Sequence, residues 1–264
     1  MNMDFNVVTS RANARVKQLR AAFAGQARLS GGMVAIEGDH LLEEALRSGM
    51  VLKTVFVSER RSVPGIVPRS VEVLRLAQDV FQSVVETQSP QGVAALLVPP
   101  VRTLEAVLGA ASEAAPLILI ACGLQDPGNL GTLVRSAEAF GATGVITTPG
   151  TVSAWNQKAL RASVGSVFRM PVVSATLDEV AGLRARGVRL LAAVGAEGDA
   201  AQGVDFARAC ALMIGNEGQG LAAEWLEIAD GQVTIPCPGP VESLNAGVAG
   251  SLLLYEASRQ RTRV

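Results

Sequence analysis

Between residues 117 and 235 the chain alternates short apolar runs with helical segments, and this alternation constrains the fold more than any other feature. The strand candidates are 117–122, 144–147, 169–173, 189–194, 211–214 and 233–235. The helical candidates between them are 130–140, 157–163, 177–186 and 222–229, and a long helix over about 244–261 closes the chain. The strands are apolar throughout rather than at every second residue. That pattern belongs to strands buried on both faces, so an α/β domain with a mostly parallel sheet is expected. Ligands of such sheets bind at the carboxyl ends of the strands, which directs attention to the loops that follow them.

The preceding residues read as a smaller α/β block. Residues 14–23 and 39–48 suit helices, the second with Asp39 as N-cap and Gly49 just past its end. Residues 33–36, 52–57 and 93–98 suit strands. Pro99-Pro100 then breaks the pattern, so the expected domains are 1–100 and 101–264. With 49% apolar and 18% charged residues, the chain is no disordered polymer. Aromatics make up only 4%, so Val, Leu, Ala and Ile must fill the core. Cys122, Cys210 and Cys237 form no paired framework, and a single histidine, His40, makes a zinc site implausible. No apolar run is long enough for a membrane span, and the N-terminus is not built as a secretory signal. The expectation is a soluble, cytoplasmic, metal-free protein.

A net charge of −1 argues against a polyanion binder on bulk charge. The average hides a local excess. Residues 1–28 hold Arg11, Arg15, Lys17, Arg20 and Arg28 against the single acid Asp4. Arg11, Arg15 and Arg28 suit contacts with a phosphate backbone, with Asn13 adding hydrogen bonds, and a solvated helix face is the alternative.

Three stretches carry chemistry, each where a strand ends and a helix begins. In Gln125-Asp126-Pro127-Gly128-Asn129-Leu130-Gly131-Thr132-Leu133-Val134-Arg135, the spacing of Leu130, Leu133, Val134, Ala137 and Phe140 marks a buried helical stripe. Arg135 lies off that stripe, about 100° round from Val134. Taken alone, Asn129 reads as an N-cap and Arg135 as the ion-pair partner of Glu138. In Ile214-Gly215-Asn216-Glu217-Gly218-Gln219-Gly220-Leu221, three glycines let a backbone approach a ligand closely. It is neither the GxGxxG nor the GxxxxGK pattern, so a nucleotide-dependent dehydrogenase is disfavoured. In Ile235-Pro236-Cys237-Pro238-Gly239-Pro240-Val241-Glu242-Ser243-Leu244-Asn245-Ala246-Gly247, the prolines stiffen a loop. Ser243 is a candidate N-cap there, with Asn245 in the first turn and Gly247 and Gly250 suited to close packing.

Together these stretches resemble the SpoU (TrmH-like) family of RNA 2′-O-ribose methyltransferases, in the SPOUT superfamily. The matching residues are Asn129-Leu130-Gly131 through Arg135 and Gly141, then Gly215-Asn216-Glu217-Gly218 with Gly220-Leu221, then Ser243-Leu244-Asn245. Ser10, Asn13, Lys17 and Ile36-Glu37-Gly38 resemble the family's amino-terminal substrate-binding domain, which has a ribosomal-protein-like α/β fold.

The resemblance implies a carboxy-terminal domain with a deep trefoil knot that binds S-adenosylmethionine. Val194, Gly195, Ile214, Gly215, Asn216, Gly218, Ile235, Leu244 and Asn245 would hold the cofactor. Arg135 would stabilise charge, Asn129 would orient it or the ribose, Glu217 would anchor Arg135 or the motif loops, and Ser243 and Asn245 would position substrate and cofactor. Arg11, Asn13, Arg15, Lys17 and Arg28 would meet the RNA. The implied partners are rRNA, most simply 23S rRNA, ahead of tRNA, and a second copy of the chain across the last helix. A non-catalytic RNA-binding relative is the alternative from another class.

Overall fold

The computed structural model describes residues 7–26, 28, 31–85, 87, 89–109, 115–241 and 243–262. Asp4, which enters the charge count of the N-terminal segment, lies outside them. The chain divides into two compact units, Met1–Val101 and Arg102–Val264.

The first unit is a four-stranded sheet of order β1-β4-β2-β3, from β1 (Val34–Glu37), β2 (Val51–Ser58), β3 (Glu72–Leu76) and β4 (Val93–Val98). β4 runs antiparallel to both β1 and β2, and β3 is parallel to β2. Helices α1 (Ala14–Phe23) and α3 (Gln78–Gln82) bury Val16, Leu19, Phe23, Val80 and Phe81 with Phe56, Leu76 and Leu96 of the sheet. β3 and α3 escaped the sequence reading. β3 carries Glu72 and Arg75 in five residues that run from exposed to buried, and α3 is little more than one turn. The cap of α2 (Asp39–Arg47) also differs. Gly38, at φ +94°, is the N-cap, and the Asp39 N–H donates to Oε1 of Gln91, 52 residues away. A partner so distant leaves no local signal, and Asp39 is free to pair with Arg61 at 2.5 Å.

The second unit is a seven-stranded sheet in which every pairing is parallel, in the order β7-β6-β5-β10-β8-β11-β9. Its strands are β5 (Leu117–Ala121), β6 (Gly144–Thr147), β7 (Val172–Ser174), β8 (Arg189–Ala193), β9 (Asp199–Ala200), β10 (Cys210–Ile214) and β11 (Gly231–Thr234). β5 and β10 are buried at all ten positions, which accounts for their unbroken apolar sequence. The helices are α4 (Pro127–Ala139), α5 (Gln157–Ser163), α6 (Ser166–Arg169), α7 (Leu177–Ala181), α8 (Ala223–Glu227) and α9 (Ala246–Arg261). The strand expected over 169–173 starts only at Val172, because Ser166–Arg169 forms a helical turn and Pro171 follows it. No helix among the described residues is long and apolar enough to cross a membrane.

The strand order places the site. β5 leads through α4 to β6 on one side, while β10, its neighbour, leads through α8 to β11 on the other. The loops after β5 and β10 therefore leave side by side at the carboxyl edge and are hydrogen-bonded to one another, and the hollow of this unit lies at the ends of β8, β10 and β11.

Candidate functional site at the carboxyl ends of β5 and β10

Asp126, rather than Asn129, is the N-cap of α4. Its Oδ1 accepts from the Asn129 N–H at 2.9 Å, and Pro127 takes the first helical position. The Asp-Pro pair was the readable signal for this cap. Asn129 sits in the first turn with its carboxamide free for other partners. On α9 the cap is Asn245 and not Ser243: its Oδ1 accepts from the Val248 N–H at 3.2 Å.

These two amides and Glu217 form one chain of hydrogen bonds. Asn245 Nδ2 donates to Asn129 Oδ1 at 3.0 Å, and Asn129 Nδ2 donates to Glu217 Oε1 at 3.1 Å. A backbone N–H can only donate, and a carboxylate can only accept. The ends of the chain thus fix the orientation of both amides between them. Glu217 also accepts from the N–H groups of Gln125 at 3.2 Å and Asp126 at 3.0 Å. Burial pushes its carboxyl pKa up, but the bonds from Asn129, Asp126 and Gln125 outweigh that and leave it lowered. Glu217 therefore ties the loop after β10 to the start of α4, and its hydrogen bonds reach no part of Arg135.

The loop after β10 is a tight turn. Asn216 and Gly220 exchange both backbone hydrogen bonds at 2.9 Å, and Asn216 Oδ1 accepts from Gly218 and Gln219. Asn216 Nδ2 reaches across to the carbonyl of Gly123 at 2.9 Å. Beside this turn lies a hollow of about 460 Å³. Eight of the nine residues expected to hold a cofactor line it: Val194, Gly195, Ile214, Gly215, Asn216, Gly218, Ile235 and Leu244. Asn245 does not line it. Glu217 and Ser243 do, and so do Thr234 and Cys237, which the sequence did not single out. The hollow is of ligand size, and its lining combines glycines and apolar side chains with the polar side chains of Asn216, Gln219, Thr234 and Ser243 and one carboxylate, Glu217. That donor set fits an adenosyl group held by main-chain hydrogen bonds.

Arg135 is exposed on α4. The partner expected for it is taken: Glu138 holds Arg169 at 2.5 Å. Among the described residues the Arg135 side chain forms no hydrogen bond or ion pair. Of the apolar stripe of α4, Leu130, Leu133, Val134 and Ala137 are buried, while Phe140 is half-buried and meets Tyr255 edge-to-face at 5.7 Å. In the first unit Asn13 serves as N-cap of α1. Arg11 pairs with Asp79 at 3.4 Å and Arg15 with Glu72 at 3.2 Å, both at the surface, while Lys17 and Arg28 are exposed.

Comparison with known proteins gives matches over both units. Residues 116–255 match the SpoU rRNA Methylase family, and residues 13–95 match the MRM3-like substrate binding domain. The chain is 35% identical to the 23S rRNA (guanosine(2553)-2′-O)-methyltransferase RlmP of Bacillus subtilis, over 94% of this chain and 97% of that one. It is 30% identical to a 23S rRNA (uridine(2479)-2′-O)-methyltransferase of Streptomyces viridochromogenes, over 96% and 92%. Among solved structures it resembles the SpoU methyltransferase AviRb of Streptomyces viridochromogenes in complex with AdoMet, with a TM-score of 0.82 and 29% identity over 95% of this chain and 98% of that one.

Proposed function

The chain belongs to the SpoU rRNA methylase family, and from that membership we propose that it methylates a ribose 2′-hydroxyl of 23S rRNA with S-adenosylmethionine as donor. The observation that carries the reading is the relay Asn245–Asn129–Glu217, which joins three loops beside a ligand-sized hollow and leaves Arg135 unpaired. The two relatives named above support 23S rRNA over tRNA. A cytoplasmic setting follows from that substrate. The expected knotted path of the carboxy-terminal domain belongs to the same proposal.

When bound, S-adenosylmethionine supplies a methyl group activated by its sulfonium. The Gly215–Gly220 turn, Val194, Gly195, Ile235 and Leu244 would hold it. What remains for the side chains is to position the hydroxyl and to stabilise the negative charge developing on its oxygen. Arg135 fills the second role, because a guanidinium can fork onto an oxyanion or an RNA phosphate. It cannot serve as base at neutral pH. Glu217 is a poor base as well, since three donors stabilise its charged form. The 2′-hydroxyl proton therefore leaves to water or to an RNA phosphate. Asn129 and Asn245 hold the start of α4 against the start of α9, so that Arg135 and the hollow keep one geometry.

Mapping 2′-O-methylation across total RNA with and without the gene tests the substrate. Loss at one 23S position is expected. Loss at a tRNA position instead overturns the rRNA reading, and no change anywhere favours a non-catalytic RNA-binding protein. Arg135→Ala should lower methyl transfer by about 10²-fold or more, while calorimetry still shows the cofactor bound. Undiminished transfer would remove Arg135 from the mechanism.

A homodimer across α9 is part of the proposal. Val248, Leu252 and Tyr255 stand at i, i+4 and i+7 on that helix and are 47%, 44% and 53% exposed. Light scattering at micromolar concentration should give twice the chain mass, and a monomer mass sinks the dimer.

A further inference from the structure

The segment from Asp126 to Arg169 carries four basic side chains, Arg135, Lys158, Arg161 and Arg169, against two acidic ones, Asp126 and Glu138. In a chain of net charge −1 that surplus is local. Both acids are engaged, Asp126 with Lys158 at 2.6 Å and Glu138 with Arg169 at 2.5 Å. Arg135 and Arg161 are exposed, and their side chains form no hydrogen bond or ion pair among the described residues.

The packing of α5 on α4 brings these cations to one edge. Gly131 faces α5 so closely that a Cβ there would stand 2.7 Å from the Cβ of Ala162. A Cβ on Gly128 would stand 3.0 Å from Cε of Lys158, so Lys158 lies over the first turn of α4. Lys158 and Arg161 are three residues apart on α5 and therefore neighbours on its outward side. Arg135 is one turn beyond Gly131 and about 40° round from it, on the shoulder of α4 next to α5. The edge thus begins beside Asn129 and continues past Arg135.

We propose that Lys158 and Arg161, with Arg135, form a phosphate track through which the catalytic unit itself grips the RNA strand flanking the target ribose. The inference rests on the RNA-methyltransferase reading above, and it adds contacts outside the amino-terminal cluster. The Arg161 fork is unoccupied and suits two phosphate oxygens. Lys158 is 57% exposed, and a surface pair such as Lys158–Asp126 is worth little, so a phosphate can replace Asp126 there. A nucleic-acid backbone fits better than an acidic protein segment, because the track leads to the residues around which the three motif loops meet.

Filter binding of full-length 23S rRNA transcribed in vitro, across a range of KCl, tests the track in the whole protein. Arg161→Ala and Lys158→Ala should each weaken binding several-fold and reduce the salt slope by about 1. Calorimetry should show unchanged S-adenosylmethionine affinity for Arg161→Ala, which reports that the variant is folded. Arg208→Ala, at a surface pair with Asp205, should match the wild type. If Arg161→Ala and Lys158→Ala bind the RNA with the affinity and slope of Arg208→Ala, the track is overturned. A wild-type protein that does not retain the RNA overturns it too. Methyl transfer to the same RNA reads the enzymatic proposal separately: binding that depends on Arg161 without transfer counts against the activity and supports the track.

Discussion

Glu217 is an exposed carboxylate whose work is to collect donors from a neighbouring loop. Its lowered folded-state pKa has a definite consequence. A carboxyl depressed in the folded state stabilises it fully above the ordinary carboxylate value, and that contribution disappears as pH falls through the folded value. Thermal unfolding of the wild type should therefore lose midpoint temperature on acidification below about pH 4. Glu217→Gln should lower the midpoint by a few degrees at neutral pH and flatten the acid loss. A variant that melts like the wild type at both pH values would show that Glu217 does not tie the loops. The residue types at this junction were readable from the sequence, but their assignments were not all so. Asn129 looks like a cap because Asn caps helices. The structure gives that task to Asp126, three residues earlier, and a lone sequence cannot show that the Asn129 carboxamide is wanted by Asn245, 116 positions away.

At the scale of elements, the site depends on how closely helices approach. Gly131 sits at the contact of α4 with α5, and a side chain there would press on the carbonyl of Ala159 and on Ala162. Glycine inside a helix costs about 1 kcal/mol relative to alanine, so propensity alone favours Gly131→Ala. Overpacking costs about 1–3 kcal/mol and should prevail, because one obstacle is backbone and cannot rotate away. Urea unfolding should show a net loss of stability, and a gain would mean that α5 yields freely. Gly250 plays a similar part on α9, where a Cβ would meet the Leu133 side chain and stand 3.3 Å from Cγ1 of Ile214. The long apolar strands were legible because burial on both faces leaves an unbroken signal. β3 and α3 were not, because five residues of mixed exposure leave neither a run nor a period long enough to read. The strand expected from Arg169 starts late for another reason: Arg169 closes a helical turn and holds Glu138, and the strand begins at Val172.

For the whole molecule, bulk charge was the least informative quantity and the two-unit division the most useful. A net charge of −1 averages over a basic first segment and a basic edge on α4 and α5, so electrostatics had to be read locally. Every residue lining the 460 Å³ hollow belongs to the Arg102–Val264 unit, and that unit has its own buried cluster, including Ile118, Ile120, Ile146, Leu190 and Met213. A fragment spanning residues 102–264 should therefore fold and bind S-adenosylmethionine with an affinity close to that of the full chain. The amino-terminal unit holds Arg11, Arg15, Lys17 and Arg28 and matches a substrate-binding domain, so removing it should act on RNA instead. Methyl transfer by the fragment should show a raised KM for 23S rRNA and a shallower salt dependence, since several phosphate contacts are lost together. Far-ultraviolet circular dichroism establishes first whether the fragment is folded. A folded fragment that fails to bind the cofactor would mean that the hollow is completed by residues before Arg102, and a fragment with unchanged KM would remove the amino-terminal cluster from RNA recognition.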